Sequence, residues 1–531
     1  MAVLQISLVI AAYIVYKLIS SYIADRRFNS FAEKNGCLPP ADVSEPFPWG
    51  FRRLYRILRV KKTGEDVLDD IIMSDFDEAG GSRTIQFKVF DGSTMFMTAD
   101  PGVLQAMLAT QFNDFGTGKR RYDVFKPLVG KSIFSSDGPF WEHSRALFRP
   151  QFARENINDL EATENASSAL ITALGQTDSN GWTSGDEVLP LVYNFTLDTA
   201  TDFLFGQSVE SQRIAIAARS GSGAYQDHST REQIEEAKNF TDSFGIMNDY
   251  LIMRIRMQSL WWLGDSLNLR RAIRRIQRFV DPIVKRSIDT ATSSAKREEK
   301  KQSLMNNLAT QTQDRTELRN QALAILLAGR DTTAGMLGWA LTRLALHPEV
   351  FAKLRSTVLQ EFQPGDPITF AKLKGCRYLQ HFLNEVLRLH PTVPVNQRSA
   401  FKDTVLPVGG GRDGQSPMAV RKGTVILFSV YIMHRRKELW GEDALEFRPE
   451  RWSEQRYPAW QFLPFLGGPR ICLGQQFALT EASYLLVRLL QQFDAMEPTN
   501  AAEAQKLKKG LGVTMWPGDG TKVRFRKAAS T

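Results

Sequence analysis

The chain has 531 residues, 43% of them hydrophobic and 24% charged, which excludes a small stapled scaffold, a largely disordered chain and a multi-span membrane protein. Its 67 Lys and Arg against 58 Asp and Glu leave a net charge of +9, a balance compatible with an anionic membrane surface, an acidic partner or nucleic acid. The three cysteines, Cys37, Cys376 and Cys472, are too widely spaced for a disulfide framework or a CxxC-type zinc site, so reduced thiols are the default.

Residues 2–24 form an apolar run broken only by Gln5, Ser7, Lys17, Ser20 and Ser21. As a helix this run reaches roughly 35 Å, enough to cross a hydrocarbon core of roughly 30 Å once. Lys17 can snorkel to the interface, and Arg26, Arg27 and Lys34 follow, so positive-inside logic leaves the body of the chain cytosolic and keeps the sequons at Asn165, Asn194 and Asn239 out of a secretory lumen. A cleaved signal peptide would need a basic n-region and a small-x-small site, and neither is present before Asp25.

Residues 25–50, basic and then rich in proline, read as a hinge. Residues 51–531 read as one large domain. Within it, short strand patterns at 84–90, 95–98 and 424–429 punctuate long helical ones, giving a fold that is mainly α with small β-sheets. Segments 220–223 and 296–301 read as surface loops.

Four stretches carry chemistry. Trp141 and Arg145 stand at i and i+4 on one helical pattern. Ala328-Gly329-Arg330-Asp331-Thr332-Thr333 lies in the middle of a long apolar helix predicted over 317–347 and stopped by Pro348, where an acid and an alcohol need a reason. Glu385 and Arg388 share a helical face within 382–389, and Phe447-Arg448-Pro449-Glu450-Arg451-Trp452 follows downstream.

Phe465-Leu466-Gly467-Gly468-Pro469-Arg470-Ile471-Cys472-Leu473-Gly474 then leads into a further helical pattern. A cysteine just before a helix meets backbone N–H groups and the positive helix end, which favour a thiolate and hence a metal bond. Gly468 and Gly474 let the backbone approach a flat ligand, Phe465 can pack beneath it, and Arg470 can meet an acid at its edge.

This last stretch resembles, at every fixed position, the FxxGxRxCxG haem signature of the cytochromes P-450. The resemblance implies that Cys472 is the axial ligand of a haem b iron. The other stretches match the same family in the same order. They imply that Asp331 and Thr332 help deliver protons to bound oxygen, that Trp141, Arg145 and Arg398 bind haem propionates, and that Glu385, Arg388 and Arg451 form a structural network. In that network Trp452 stands where the family's PERF segment has Phe, a change expected to alter packing only. His143, His381, His390 and His434 read as structural residues, since no second axial ligand is wanted where oxygen binds.

The stretches 118–152 and 406–417 resemble fungal enzymes that hydroxylate n-alkanes and the terminal carbon of fatty acids. Relatives of that branch also tailor polyketide or lipid-like secondary metabolites, so both readings stand, beside a non-catalytic membrane haem-binding or sensor protein that would have no use for Asp331 and Thr332. Segment 246–267, rich in Leu, Ile, Met and Trp, is compatible with dipping into lipid and equally with core packing. The chain has no dinucleotide or P-loop motif, so electrons come from another protein. The resemblance implies an NADPH-dependent cytochrome P-450 reductase in the endoplasmic reticulum membrane, with this chain single-pass, its main domain cytosolic and its substrate a hydrophobic small molecule. No basic aromatic groove points to nucleic acid.

Overall fold

The computed structural model describes residues 2–152, 159–220, 228–292, 303–363 and 365–529. The fold is mainly helical with small sheets, and segments 221–223 and 296–301, read above as loops, lie outside the described residues. Two compact units emerge, one from Met1–Gly118, Asn396–Ser429 and Gly467–Arg470, the other from Lys119–Val395, Val430–Leu466 and Ile471–Thr531.

Helix α1 (Ala2–Lys34) opens the first unit. It runs past residue 24 to Lys34, so Arg26, Arg27 and Lys34 ride on helix and not in the hinge. Its Gln5–Lys34 stretch is long and apolar enough to cross a membrane and is wholly unburied. The proline-rich segment that follows is non-helical, as the missing N–H groups and the clash of each ring with the preceding turn require, but it does more than bend. Strand β1 (Ala41–Asp42) pairs in parallel with β2 (Thr84–Lys88), and Pro40 bridges Gly411. Prolines pre-set extended backbone and are tolerated at a sheet edge, which is where they lead this chain.

The main sheet has the order β1-β2-β3-β8-β5-β4, with β3 (Thr94–Thr98), β4 (Phe115–Gly116), β5 (Val395–Ala400) and β8 (Val425–Ser429). β2 and β3 form an antiparallel hairpin, and β3 pairs in parallel with β8. The three short strands predicted from the sequence are β2, β3 and β8. Strands β6 (Thr404–Gly410) and β7 (Ser416–Val420) make a separate antiparallel pair.

In the second unit, helices α2 (Gly138–Phe148), α3 (Leu189–Phe205), α4 (His228–Arg256), α5 (Leu267–Thr292), α6 (Arg315–Leu346), α7 (Arg377–Leu389) and α8 (Gln475–Gln492) are joined by two small pairs, β9 (Phe493–Pro498) with β12 (Val523–Lys527) and β10 (Lys509–Leu511) with β11 (Met515–Pro517). Helix α6 starts where Asp314 Oδ1 accepts the N–H groups of Thr316 at 2.8 Å and Glu317 at 3.2 Å, an N-cap. It is buried along most of its length, its polar Gln321, Arg330, Asp331 and Arg343 included. A side chain on Gly335 would come within 2.6 Å of the Met515 carbonyl, and one on Gly338 within 2.8 Å of Leu189. Those two glycines let β11 and α3 press directly on the α6 backbone.

Glu385 of α7 is fully buried with Arg388, and Arg451 is 1% exposed. Its Oε1 accepts from Arg388 Nη2 at 2.8 Å, Arg451 Nε at 2.9 Å and the Arg448 backbone N–H at 2.9 Å. Its Oε2 accepts from Arg388 Nε at 2.9 Å and Trp452 Nε1 at 3.1 Å. Arg388 also donates to the carbonyls of His434, Ala444 and Glu446. The effect of Trp452 is therefore not packing alone: an indole supplies a donor that a phenyl ring cannot.

Trp452→Phe should cost about 1–2 kcal/mol, the value of a lost hydrogen bond to a buried charge, read by urea denaturation. Glu385→Ala should cost about 3–5 kcal/mol, because the buried Arg388 guanidinium loses its counter-charge and Arg451 keeps only Asp443 at 3.2 Å. Equal stability of Trp452→Phe and the parent would show that the indole bond contributes nothing.

Candidate functional site

In the second unit the cysteine loop closes on itself before α8 begins. The Cys472 N–H donates to the Phe465 carbonyl at 3.0 Å, and Phe465 packs half-buried on the main hydrophobic core. From α2, Arg145 Nη1 donates to the Ile471 carbonyl at 3.1 Å, with its guanidinium 5.9 Å from the ring of Trp141.

Two influences compete at the sulfur. Burial, the larger, pushes the Cys472 thiol up, while the Gly474 N–H and the Arg145 cation favour the thiolate. The side chain nevertheless keeps open surface, so protein surrounds the sulfur and still leaves it a free approach. A single soft donor, already hydrogen-bonded and beside a cation, fits a haem iron. Metal coordination would remove the proton that burial otherwise retains.

The two loop glycines differ. A side chain on Gly474 would meet only Phe152 at 3.7 Å, an ordinary contact. Gly468 has φ +69°, and a side chain there would lie 1.9 Å from the Leu108 carbonyl. Gly468 is thus required by the protein's own backbone, independently of the approach to a flat ligand expected of it. Gly468 belongs to the first unit, as do Arg398 and Arg470. Arg398 is buried on β5, donating to the Gln397 carbonyl at 2.8 Å and lying 5.7 Å from the Phe428 ring, and Arg470 lies 5.9 Å from the ring of Phe112.

On α6, Thr332 Oγ1 donates to the Ala328 carbonyl at 2.6 Å, the back-bond common for a helical threonine. Asp331 is buried with both oxygens engaged: Arg330 Nη1 donates to Oδ1 at 2.9 Å, and Asn248 Nδ2 of α4 donates to Oδ2 at 2.5 Å. Burial pushes its carboxyl up, opposed by Arg330 and then Asn248. Arg330 is itself seated 4.8 Å from the Tyr193 ring and 5.3 Å from that of Phe244.

Sequence reasoning passed over Arg330, Asn248 and Glu481, and read His434 as structural without its partners. Arg330 occupies the open position of its motif, and Asn248 stands 83 residues away, with no spacing to betray it. His434 accepts the Leu463 N–H at Nε2, 3.0 Å, and faces the Arg388 carbonyl through Nδ1, 3.2 Å, so the ring is neutral with its proton on Nδ1. Burial and then Arg388 and Arg435 push it down to about 3. It links the Glu385 network to the strand of chain that leads into the cysteine loop. Glu481 of α8 is buried, accepts a hydrogen bond from the Thr199 hydroxyl of α3, and is pushed up to about 8 by burial.

The cytochrome P-450 family model matches residues 75–523. Among curated proteins, the chain is 42% identical over 498 residues to cytochrome P-450 monooxygenase g430 of Fusarium sp, covering 92% of this chain and 85% of that one. It is 41% identical to cytochrome P-450 monooxygenase alt2 of Alternaria solani, over 87% and 86% of the two chains. Cytochrome P-450 52A10 of Candida maltosa is 40% identical over 97% of this chain and 96% of its own.

Glu481 makes a pH prediction. Its folded value of about 8 lies above the ordinary carboxyl value of about 4.3, so the folded state holds the proton more tightly. The associated stability is full below about pH 4 and is lost as the pH rises through about 8. Glu481→Gln cannot ionise, and its melting temperature should gain on the parent's progressively between about pH 5 and pH 9. A gap that stays constant over that range would refute the buried, protonated acid.

Proposed function

Because the chain belongs to the cytochrome P-450 family, we propose that it hydroxylates alkanes or the terminal carbon of fatty acids while anchored by α1 in the endoplasmic reticulum membrane. Family membership makes it a monooxygenase with a haem-iron cofactor and hydrophobic substrates. The finer reading takes the cofactor to be haem b and the electron source to be an NADPH-dependent reductase.

The observation that carries the assignment of the ligand is the Cys472 environment, a free thiol with open surface, an N–H at the sulfur and Arg145 beside it. When bound, the haem supplies oxygen activation, and a thiolate ligand favours O–O cleavage. Cys472 would hold the iron as a thiolate, a form that the Gly474 N–H and the Arg145 cation favour. In the second unit Arg145 and Trp141 would bind acid groups at the cofactor's edge, the role that the family's pattern gives in the first unit to Arg398 and Arg470, and Phe465 supports the loop.

Asp331 and Thr332 hold and pass protons on the α6 face. Arg330 and Asn248 keep the Asp331 carboxyl fixed, each using one lone pair of one oxygen, so a proton can be taken up on a lone pair that remains. The Thr332 hydroxyl, with its own proton on Ala328, offers lone pairs to an incoming donor. The substrate preference draws on the stretches 118–152 and 406–417 and on relatives in the 52 series from Candida and Debaryomyces. The cytosolic placement of the body draws on Arg26, Arg27 and Lys34 at the end of α1.

Cys472→Ala should lose the red-shifted reduced carbon monoxide band that marks thiolate ligation, and retention of that band would overturn the assignment. In the parent, n-alkanes and long-chain fatty acids should give substrate-induced spectral shifts; shifts with polyketides alone would favour the tailoring reading. Thr332→Ala should keep haem and substrate binding while the ratio of product to NADPH consumed, with reductase and a long-chain fatty acid, falls on the order of tenfold. An unchanged ratio would leave Thr332 with its back-bond as its only role.

A further inference from the structure

Helix α6 carries a buried polar cluster towards its end. Arg343 is 8% exposed. Its Nε donates to His390 Nε2 at 2.9 Å, and its guanidinium lies 5.3 Å from the Phe447 ring. These are its only hydrogen bond and ring contact among the described residues, so the N–H groups on both Nη atoms lack a protein acceptor. His390, the residue after α7, is 2% exposed and stacks on the fully buried Trp339, ring centroids 3.9 Å apart and planes 6° from parallel. Because His390 Nε2 accepts, the proton of the neutral ring sits on Nδ1. That N–H is buried without an acceptor, and so is the Trp339 Nε1–H. Three neighbouring side chains thus present donors that the described residues do not answer, which a folded interior seldom tolerates.

Charge sharpens the demand. Arg343 forms no ion pair among the described residues, and Glu385, the acid whose charge reaches it, is already held by Arg388 at 2.8 Å and Arg451 at 2.9 Å. Arg435, Lys509 and Arg388 add positive potential around the histidine. Arg435 donates to the Leu389 and Tyr431 carbonyls, which are neutral acceptors. Burial, with these cations behind it, pushes Arg343 down to about 10 and the imidazole well below its ordinary value. At neutral pH the cluster is therefore cationic through Arg343. A water molecule would accept from the N–H groups and leave that charge unmet, whereas an anion meets both. Trp339 also lines a surface cleft with Thr342, Pro517, Lys508 and Lys522, which gives an ion a way in.

We propose that Trp339, Arg343 and His390 form a binding site for one small monovalent anion of the halide class, which answers their unpaired donors. One negative charge suffices because Arg343 is the guanidinium here without a counter-ion. The aromatic walls of Trp339 and Phe447 favour an ion that gives up its water easily. So held, the ion ties the last turns of α6 to the chain leaving α7, and its occupancy adds to the stability of that junction.

The test uses the full chain, haem-loaded, in detergent, after exhaustive exchange into gluconate. At constant ionic strength, replacing gluconate by chloride or bromide should raise the melting temperature by about 1–2 °C for each tenfold increase in halide beyond half-saturation. Chloride NMR should show a line broadening that saturates and that bromide displaces. Arg343→Met removes the charge and should abolish both responses. Trp339→Phe keeps an aromatic stack, loses one donor and should weaken halide affinity on the order of tenfold. An unaltered reduced carbon monoxide spectrum identifies folded variants, and should Arg343→Met misfold, Trp339→Phe and the halide series on the parent decide. Equal melting temperatures in gluconate, chloride and bromide, with no saturable broadening, would show that water meets these donors and overturn the proposal. Broadening that survives Arg343→Met would place the ion elsewhere, and a response to phosphate alone would mark an oxyanion site; either would overturn it too.

Discussion

A carboxylate without access to water has to be satisfied by the protein or not be charged at all, and Glu385 meets that demand with five donors. Because the donors come from its own helix and from the stretch 448–452, the charge fixes where that stretch lies. Arg388, its nearest partner, spends its remaining N–H groups on three carbonyls. The His434 ring passes the order on to Leu463, two residues before Phe465. With His434 pushed down to about 3, this relay keeps one tautomer throughout the physiological pH range, and the cysteine loop inherits a fixed starting point.

At Cys472 and at Asp331 the same tension recurs with different outcomes. Burial raises both groups, and in each case a neighbouring arginine opposes it. Asp331 is closed off by Arg330 and Asn248, whereas Cys472 retains an open approach. One group is thus built to be held and the other to be bound. The contrast follows from the donors each receives and from the open surface that Cys472 alone keeps.

Features with local periodicity or local spacing were legible in the sequence: the long α6 between its N-cap and Pro348, the strands β2, β3 and β8, the Glu385 and Arg388 pair, and the cysteine before α8. What stayed hidden depends on partners far along the chain. Nothing in the proline-rich segment indicates that Ala41 and Asp42 pair with β2. The apolar run falls away after Ala24, yet charged residues with good helix propensity continue α1 to Lys34. The second requirement on Gly468 was hidden because the carbonyl that imposes it belongs to Leu108. Trp452 reads as a bulkier Phe until its N–H is seen to reach Glu385.

Gly335 and Gly338 give α6 a mechanical asymmetry. Past these residues the helix is clamped, backbone against β11 and the Leu189 side chain, with Trp339 fully buried just beyond. Asp331 and Thr332 stand one turn before the clamp. Side chains hold the helix over both arms, since Leu318, Ala322 and Leu326 are fully buried on the arm running back to Arg315, but only past Thr332 do neighbouring groups close directly on its backbone.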